Sequence, residues 1–190
     1  DWLAQCRPGM KVSFQWSLII NCDLGENESD EQTEAFIAQV GAANICCGAH
    51  AGNEVKTRAT LELAKRYGVM VGAHPGLPVA GGRGADLPSV EAFLKLLEYQ
   101  LGSFLRTANA VNVSVDYVKL HGSLYHAIEQ DEVLAAAYIG CIRSMDTELG
   151  VFSLAGGRFA ALGRAAGIHV WEEVFADRGY TREGQLVPRG

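Results

Sequence analysis

Short apolar runs rich in Val and Ile recur along the chain, at 17–23, 43–47, 69–73, 117–120, 151–154 and 168–175. Runs of a few apolar residues with little polar alternation fit strands covered on both faces. Between most of them the apolar spacing changes to three and four residues, which predicts helices. The stretch 30–40 places Phe36, Ile37 and Val40 on one face and opens with acidic residues, as the helix dipole prefers. Asn53 can cap a helix that runs to Tyr67, and Gly68 stops it. A longer helix over 89–110 carries Phe93, Leu96, Leu97, Leu101, Phe104 and Leu105 at helical spacing. Helices over 131–148 and 158–166 complete the set, the second ended by Gly167.

Strand and helix thus alternate at least five times. Parallel neighbours need a long crossover, so this alternation predicts a parallel sheet in an α/β fold. A closed barrel and an open doubly wound sheet both satisfy it. Residues 1–16 carry no clear period and read as an N-terminal extension; 17–190 read as a single domain. A chain of 190 residues with 48% apolar and 20% charged residues has enough apolar material for a substantial core, which argues against disorder.

The net charge of −6 offers no basic footprint for nucleic acid or an anionic membrane. No apolar run approaches the roughly 20 residues that a membrane span needs. Cys6, Cys22, Cys46, Cys47 and Cys141 are odd in number and without CxxC spacing, which suits a reducing compartment and a cytoplasmic setting.

The chemistry collects where strands end. The first run leads into Asp23-Leu24-Gly25-Glu26, the second into Gly48-Ala49-His50-Ala51-Gly52, and the third into His74-Pro75-Gly76. The fourth contains Lys119 and ends in His121-Gly122, and the sixth leads to Asp177-Arg178. Ligands of α/β folds bind at the carboxyl ends of parallel strands. One strand-end histidine is usually a hydrogen-bonded structural residue. Five strand ends aimed at one cavity are a different matter, and this predicts a site built from Asp23, His50, His74, Lys119 with His121, and Asp177. A buried ammonium needs a partner, and Asp23 or Asp177 is the candidate for Lys119. Asp23, His50 and His74 could form an open three-ligand site for a divalent metal. Gly81-Gly82-Arg83-Gly84 and Gly156-Gly157-Arg158 are candidate anion-binding loops, the first with Arg83 as clamp, but no Walker-type motif for ATP occurs.

Six stretches occur in an order that resembles the LamB/YcsF family: NCDLGE (21–26), ANICCGAHAG (43–52), VGAHPG (71–76), YQLGSF (99–104), VKLHGSLY (118–125) and EVFADRGYTREGQLVPRG (173–190). The resemblance implies a seven-stranded (β/α) barrel of the glycoside hydrolase/deacetylase type. Relatives run on past Gly190, so it also implies that this chain lacks the C-terminal part of that barrel. The implied activity is that of the A component of an ATP-dependent 5-oxoprolinase, which opens a cyclic amide and works with subunits B and C. The site residues carried over are Asp23, Glu26, His50, His74, Lys119, His121, Asp177 and Arg178, with Arg83 added as a substrate contact. The chain departs from the family pattern at Asn53, where relatives have an acid, at 79–83, at Leu120 and at His126. A metal-dependent deacetylase and a non-catalytic paralogue remain the alternative readings.

Overall fold

A computed structural model describes residues 18–83, 86–145, 147–182, 184, 186 and 187. The strands are β1 (Asn21–Leu24), β2 (Ala42–Cys46), β3 (Met70–His74), β4 (Tyr117–Val118), β5 (Gly150–Leu154) and β6 (Val170–Glu173). The helices are α1 (Asp30–Ile37), α2 (Glu54–Tyr67), α3 (Val90–Ala110), α4 (Ser123–Gln130), α5 (Glu132–Arg143) and α6 (Arg158–Ala165), with a 3-10 turn at Ala80–Gly82. The expected extension over 1–16 lies outside the described residues. Among the described residues no helix is long and apolar enough to cross a membrane.

All six strands run parallel, each paired with the next in chain order. A doubly wound sheet reverses its strand order at a switch point, and no reversal occurs here. The sheet curls instead into a half-barrel, far enough for Asn21 on β1 to donate its Nδ2 hydrogen to Glu173 Oε2 on β6 at 3.0 Å.

Alternation along the strands sorts side chains into two environments. Leu24, Ala43, Ile45, Val71, Ala73, Val118 and Val151 point outward and join the helices in the main core. On α3, Phe93, Leu97, Leu101, Phe104 and Ala108 are buried at helical spacing. Each large one contributes roughly 1.5–3 kcal/mol. The inward positions form layers. Ala42, Tyr117 and Phe152, with Ile19, Met70 and Trp171, plug the amino-terminal end. This plug depends on Gly72, where a Cβ would lie 1.9 Å from the Tyr117 ring. Above it the interior turns polar, and there the site begins.

The expected caps hold. Asn53 Oδ1 accepts from Lys56 N–H at 3.0 Å, and Gly68 closes α2 with φ +66°. Several boundaries differ, β1 beginning only at Asn21 and β6 covering only Val170–Glu173 among them. Helix α5 stops at Arg143, short of 148, and α1 stops at Ile37, short of Val40. Regular β4 ends at Val118, although Lys119 N–H still donates to Ala73 O at 2.9 Å. Helix α4 was not expected, because its eight residues follow a left-handed Gly122 with no side-chain cap to mark their start.

Candidate functional site

Above the apolar plug, Asn44 stands fully buried in the middle of β2. Its Nδ2 donates to Asn21 Oδ1 at 2.7 Å and Asp23 Oδ1 at 2.8 Å, and its Oδ1 accepts from the Tyr117 hydroxyl at 2.7 Å. Both ends of the amide are engaged, so the polar layer is locked from beneath. Lys119, next on β4, donates to Asn21 Oδ1 and Glu173 Oε2, both at 3.0 Å, and lies 3.4 Å from Asp23 Oδ1. Glu173 and Asp23 therefore take the partner role expected of Asp23 or Asp177. Asp177 is exposed and lines the seam between β1 and β6.

At the carboxyl ends of the strands, His50, His74 and His121 are buried and meet in one cluster. The His50 and His121 rings stack, with centroids 3.9 Å apart and planes 6° from parallel, and His74 meets both edge-on. Glycines hold the rings in place. A Cβ on Gly76 would lie 2.5 Å from His50 Nδ1, and one on Gly82 would lie 2.6 Å from His121 Cδ2. The glycine loop at 81–83 thus serves as a wall for His121, while Arg83 lines the cavity beside it. Gly84 lies outside the described residues.

The hydrogen-bond network assigns the tautomers. His74 Nδ1 donates to Lys119 O at 2.7 Å, and His121 Nε2 donates to Gly81 O at 3.1 Å. The remaining nitrogens, His74 Nε2 and His121 Nδ1, face each other at 2.8 Å. Two lone pairs do not face each other at that distance, so one proton lies between them. Burial and the neighbouring His74 and His50 push His121 down to about 4. Asp23 Oδ2 stands 3.4 Å from His74 Nε2. Burial works against ionisation of Asp23, yet His74, Lys119 and Asn44 together hold its carboxyl well below the usual range.

Glu26 completes the cluster. Its Oε1 lies 3.1 Å from His50 Nε2 and 3.6 Å from His121 Nδ1. The hydrogen bond with His50 lowers Glu26 against the opposing effect of burial. Burial alone would lower His50, but Cys46 Sγ and Glu26 raise it to about 9. One candidate ligand atom from each of Glu26, His50, His74 and His121 falls within 4.8 Å of the others. The metal set expected from sequence was Asp23, His50 and His74; the convergent group holds Glu26 and His121, without Asp23.

A cavity of about 250 Å³ opens over this cluster, lined among others by Asp23, His74, Lys119, His121, Arg83 and Arg178. Arg178 reaches it while donating to Val187 O at 2.6 Å. His126 stands at the mouth, lowered by partial desolvation and by the charges of Arg178 and Arg83. Tyr125 also lines the cavity, and its hydroxyl and Glu173 Oε1 are buried without a hydrogen-bond partner among the described residues.

The second glycine loop is no anion site. Glu129 already occupies the start of α6, with Oε2 accepting from Phe159 N–H at 3.2 Å, and Glu172 takes Gly156 N–H. Asn21, Asn44, Tyr117 and Glu173 were missed as site residues. Asn44 carried a usable signal, since it is a lone amide inside an apolar strand run.

A parallel half-barrel with acids, imidazoles and one ammonium at its strand ends defines an α/β protein of barrel type with a candidate site at the carboxyl face. The chain belongs to the LamB/YcsF family, whose model matches residues 18–190. It is 41% identical over 175 residues to the 5-oxoprolinase A component of Tolumonas auensis, covering 90% of this chain and 70% of the relative. It is 40% identical over 179 residues to the same component from Pyrococcus abyssi, covering 90% and 69%. The solved lactam utilization protein of Thermus thermophilus superposes with a TM-score of 0.83 at 32% identity, covering 92% of this chain and 72% of that one.

Proposed function

We propose that this chain is the lactam-binding component of an ATP-dependent 5-oxoprolinase. The observation that carries the reading is the cavity over the Asp23, His74, Lys119 and His121 cluster, with Arg83 and Arg178 at its walls. A small anionic lactam suits it: the two guanidiniums can hold a carboxylate, and Tyr125 lines the wall beside them. The names of the relatives support the substrate class.

A five-membered lactam is an unstrained amide and needs activation. ATP supplies it, bound with partner subunits B and C, by transferring its terminal phosphoryl group to the lactam carbonyl oxygen. Water then adds at that carbon, the C–N bond breaks, and the ring nitrogen takes a proton. A second water releases phosphate. Lactam, ATP and two waters give glutamate, ADP and phosphate. In this chain a carboxylate of the cluster, Asp23 or Glu26, takes the proton of the attacking water. The proton shared by His74 and His121 goes to the ring nitrogen, with Asp23 orienting His74. Lys119 steadies the oxyanion charge.

Seven-stranded closure belongs to the same proposal. A further parallel strand fits the seam between β1 and β6, where Leu18, Ile20 and Val174 are exposed. The free thiols of Cys22, Cys46, Cys47 and Cys141 support a cytoplasmic setting.

The test mixes the chain with subunits B and C and follows glutamate released from 5-oxoproline. His74→Ala, His50→Ala and Asp23→Asn should each lower turnover about 100-fold or more. Unchanged turnover in all three rejects the assignment. Deacetylation of a chitooligosaccharide by the chain alone would favour the deacetylase reading, and failure to bind 5-oxoproline would favour a non-catalytic one.

A further inference from the structure

We propose that Glu26, His50, His74 and His121 form a binding site for one divalent first-row transition-metal ion, zinc foremost. The inference goes beyond the lactam reading and does not require it, because metal binding is a property of the chain alone.

The first argument is distance. Around a tetrahedral zinc with bonds of about 2.0–2.1 Å, donor atoms lie roughly 3.3 Å apart. Here His74 Nε2 and His121 Nδ1 are 2.8 Å apart, His50 Nε2 and Glu26 Oε1 3.1 Å, and His121 Nδ1 and Glu26 Oε1 3.6 Å. These three separations bracket the ideal, and all four donor atoms lie within 4.8 Å of one another.

The second argument is the outer partners. A metal-bound histidine usually donates its other ring N–H to a carbonyl or carboxylate, which fixes the tautomer and orients the ring. His74 does so to Lys119 O and His121 to Gly81 O. Both inner lone pairs are thereby turned toward one point, and an ion can replace the proton that otherwise lies between them.

The third argument is preorganisation. The walls at Gly76 and Gly82 leave no room for a Cβ, so backbone packs directly against the His50 and His121 rings; these stack 6° from parallel, and a tilt of one ring lets both hold a single ion. The three imidazoles are about nineteen-twentieths buried or more, at 5%, 1% and 5% exposure, while the Glu26 side chain is 26% exposed. Three imidazoles and a carboxylate suit zinc or another borderline ion better than calcium or magnesium. When bound, such an ion would supply Lewis-acid chemistry at the base of the cavity in place of the shared proton, and the acid and base roles given above to that proton and to Glu26 belong to the metal-free chain. Asp23, committed to Asn44, Lys119 and His74, sits outside the ligand set as an orienting group.

The test titrates the chelator-treated full chain with Zn²⁺ by calorimetry and with Co²⁺ by visible absorbance. One ion should bind per chain, and Co²⁺ should give a ligand-field band that saturates at that ratio. His74→Gln, His121→Gln and Glu26→Gln should each weaken binding about 100-fold or more, whereas Asp23→Asn stays within about tenfold. Glu26→Gln changes a partly exposed side chain, so it tests the site even where a buried histidine variant unfolds; circular dichroism checks each fold. Lack of saturable binding by the folded wild-type chain overturns the proposal. Wild-type affinity in folded His121→Gln or Glu26→Gln also overturns it, as does loss in Asp23→Asn with binding retained in His121→Gln. The readout uses no 5-oxoproline, ATP or partner, so an inactive complex leaves this inference standing, and absence of metal leaves the lactam reading standing.

Discussion

Lys119→Met keeps much of the side chain's length and apolar stem while removing its charge. In the folded chain Lys119 and Glu173 are 6% and 4% exposed, and they meet at 3.0 Å. Glu173 Oε2 accepts from Lys119 and from Asn21, and its Oε1 is buried without a partner among the described residues. After the substitution that carboxylate keeps one hydrogen bond and loses its closest counter-charge. Removing one partner of a buried ion pair costs about 3–5 kcal/mol. Asp23 loses the ammonium too, but its side chain is 37% exposed and recovers water, so it adds little. The reverse substitution, Glu173→Gln, leaves Lys119 with Asp23 and Asn21, and the amide oxygen can still accept; it should cost about 1.5 kcal/mol. Replacing both, as Lys119→Met with Glu173→Leu, should return stability to within about 1 kcal/mol of the parent. Urea unfolding followed by circular dichroism measures all three, provided the slopes agree. A cost below about 1 kcal/mol for Lys119→Met, or a larger cost for Glu173→Gln, would refute the reasoning.

Gly72→Ala places a Cβ 1.9 Å from the fully buried Tyr117 ring and should cost about 3 kcal/mol in the same unfolding assay. No measurable cost would mean that the ring does not cross that strand. Asn53→Ala should cost about 1 kcal/mol through loss of the α2 cap, whereas Asn53→Asp, restoring the acid of relatives, should change stability by less than about 0.5 kcal/mol. Equal losses from both substitutions would show that capping is not the role of Asn53. Arg178→Ala should raise the KM for 5-oxoproline about tenfold or more in the assembled enzyme, with a smaller change in kcat. A pure kcat effect would place Arg178 at the reacting centre instead of the carboxylate.

The parallel order was legible because buried strands and amphipathic helices have different periods, and each of the six apolar runs holds a strand. Curling was not legible, since alternation is the same in a barrel and an open sheet until pairing order decides. His50, His74 and His121 stood out as imidazoles at strand ends, and they meet. Asp177 carried the same signal, yet a strand end at the seam points to the rim. Glu173 was invisible because a glutamate near a strand end reads as solvated; only the closure of β6 on β1 brings it to Lys119. Which carboxylate stands by which imidazole was not legible, because it depends on loop geometry after β1: Glu26 reaches His50 and His121, whereas Asp23 reaches His74.

The central claim is that one cavity, over the imidazoles and between Lys119 and Arg178, receives the lactam. A crystal of the chain soaked with 5-oxoproline tests it most directly. The account predicts density for the ring within hydrogen-bond distance of the His74 and His121 cluster, with its carboxylate at Arg83 or Arg178. Density at the seam between β1 and β6, with the cavity at Lys119 left to water, would contradict it.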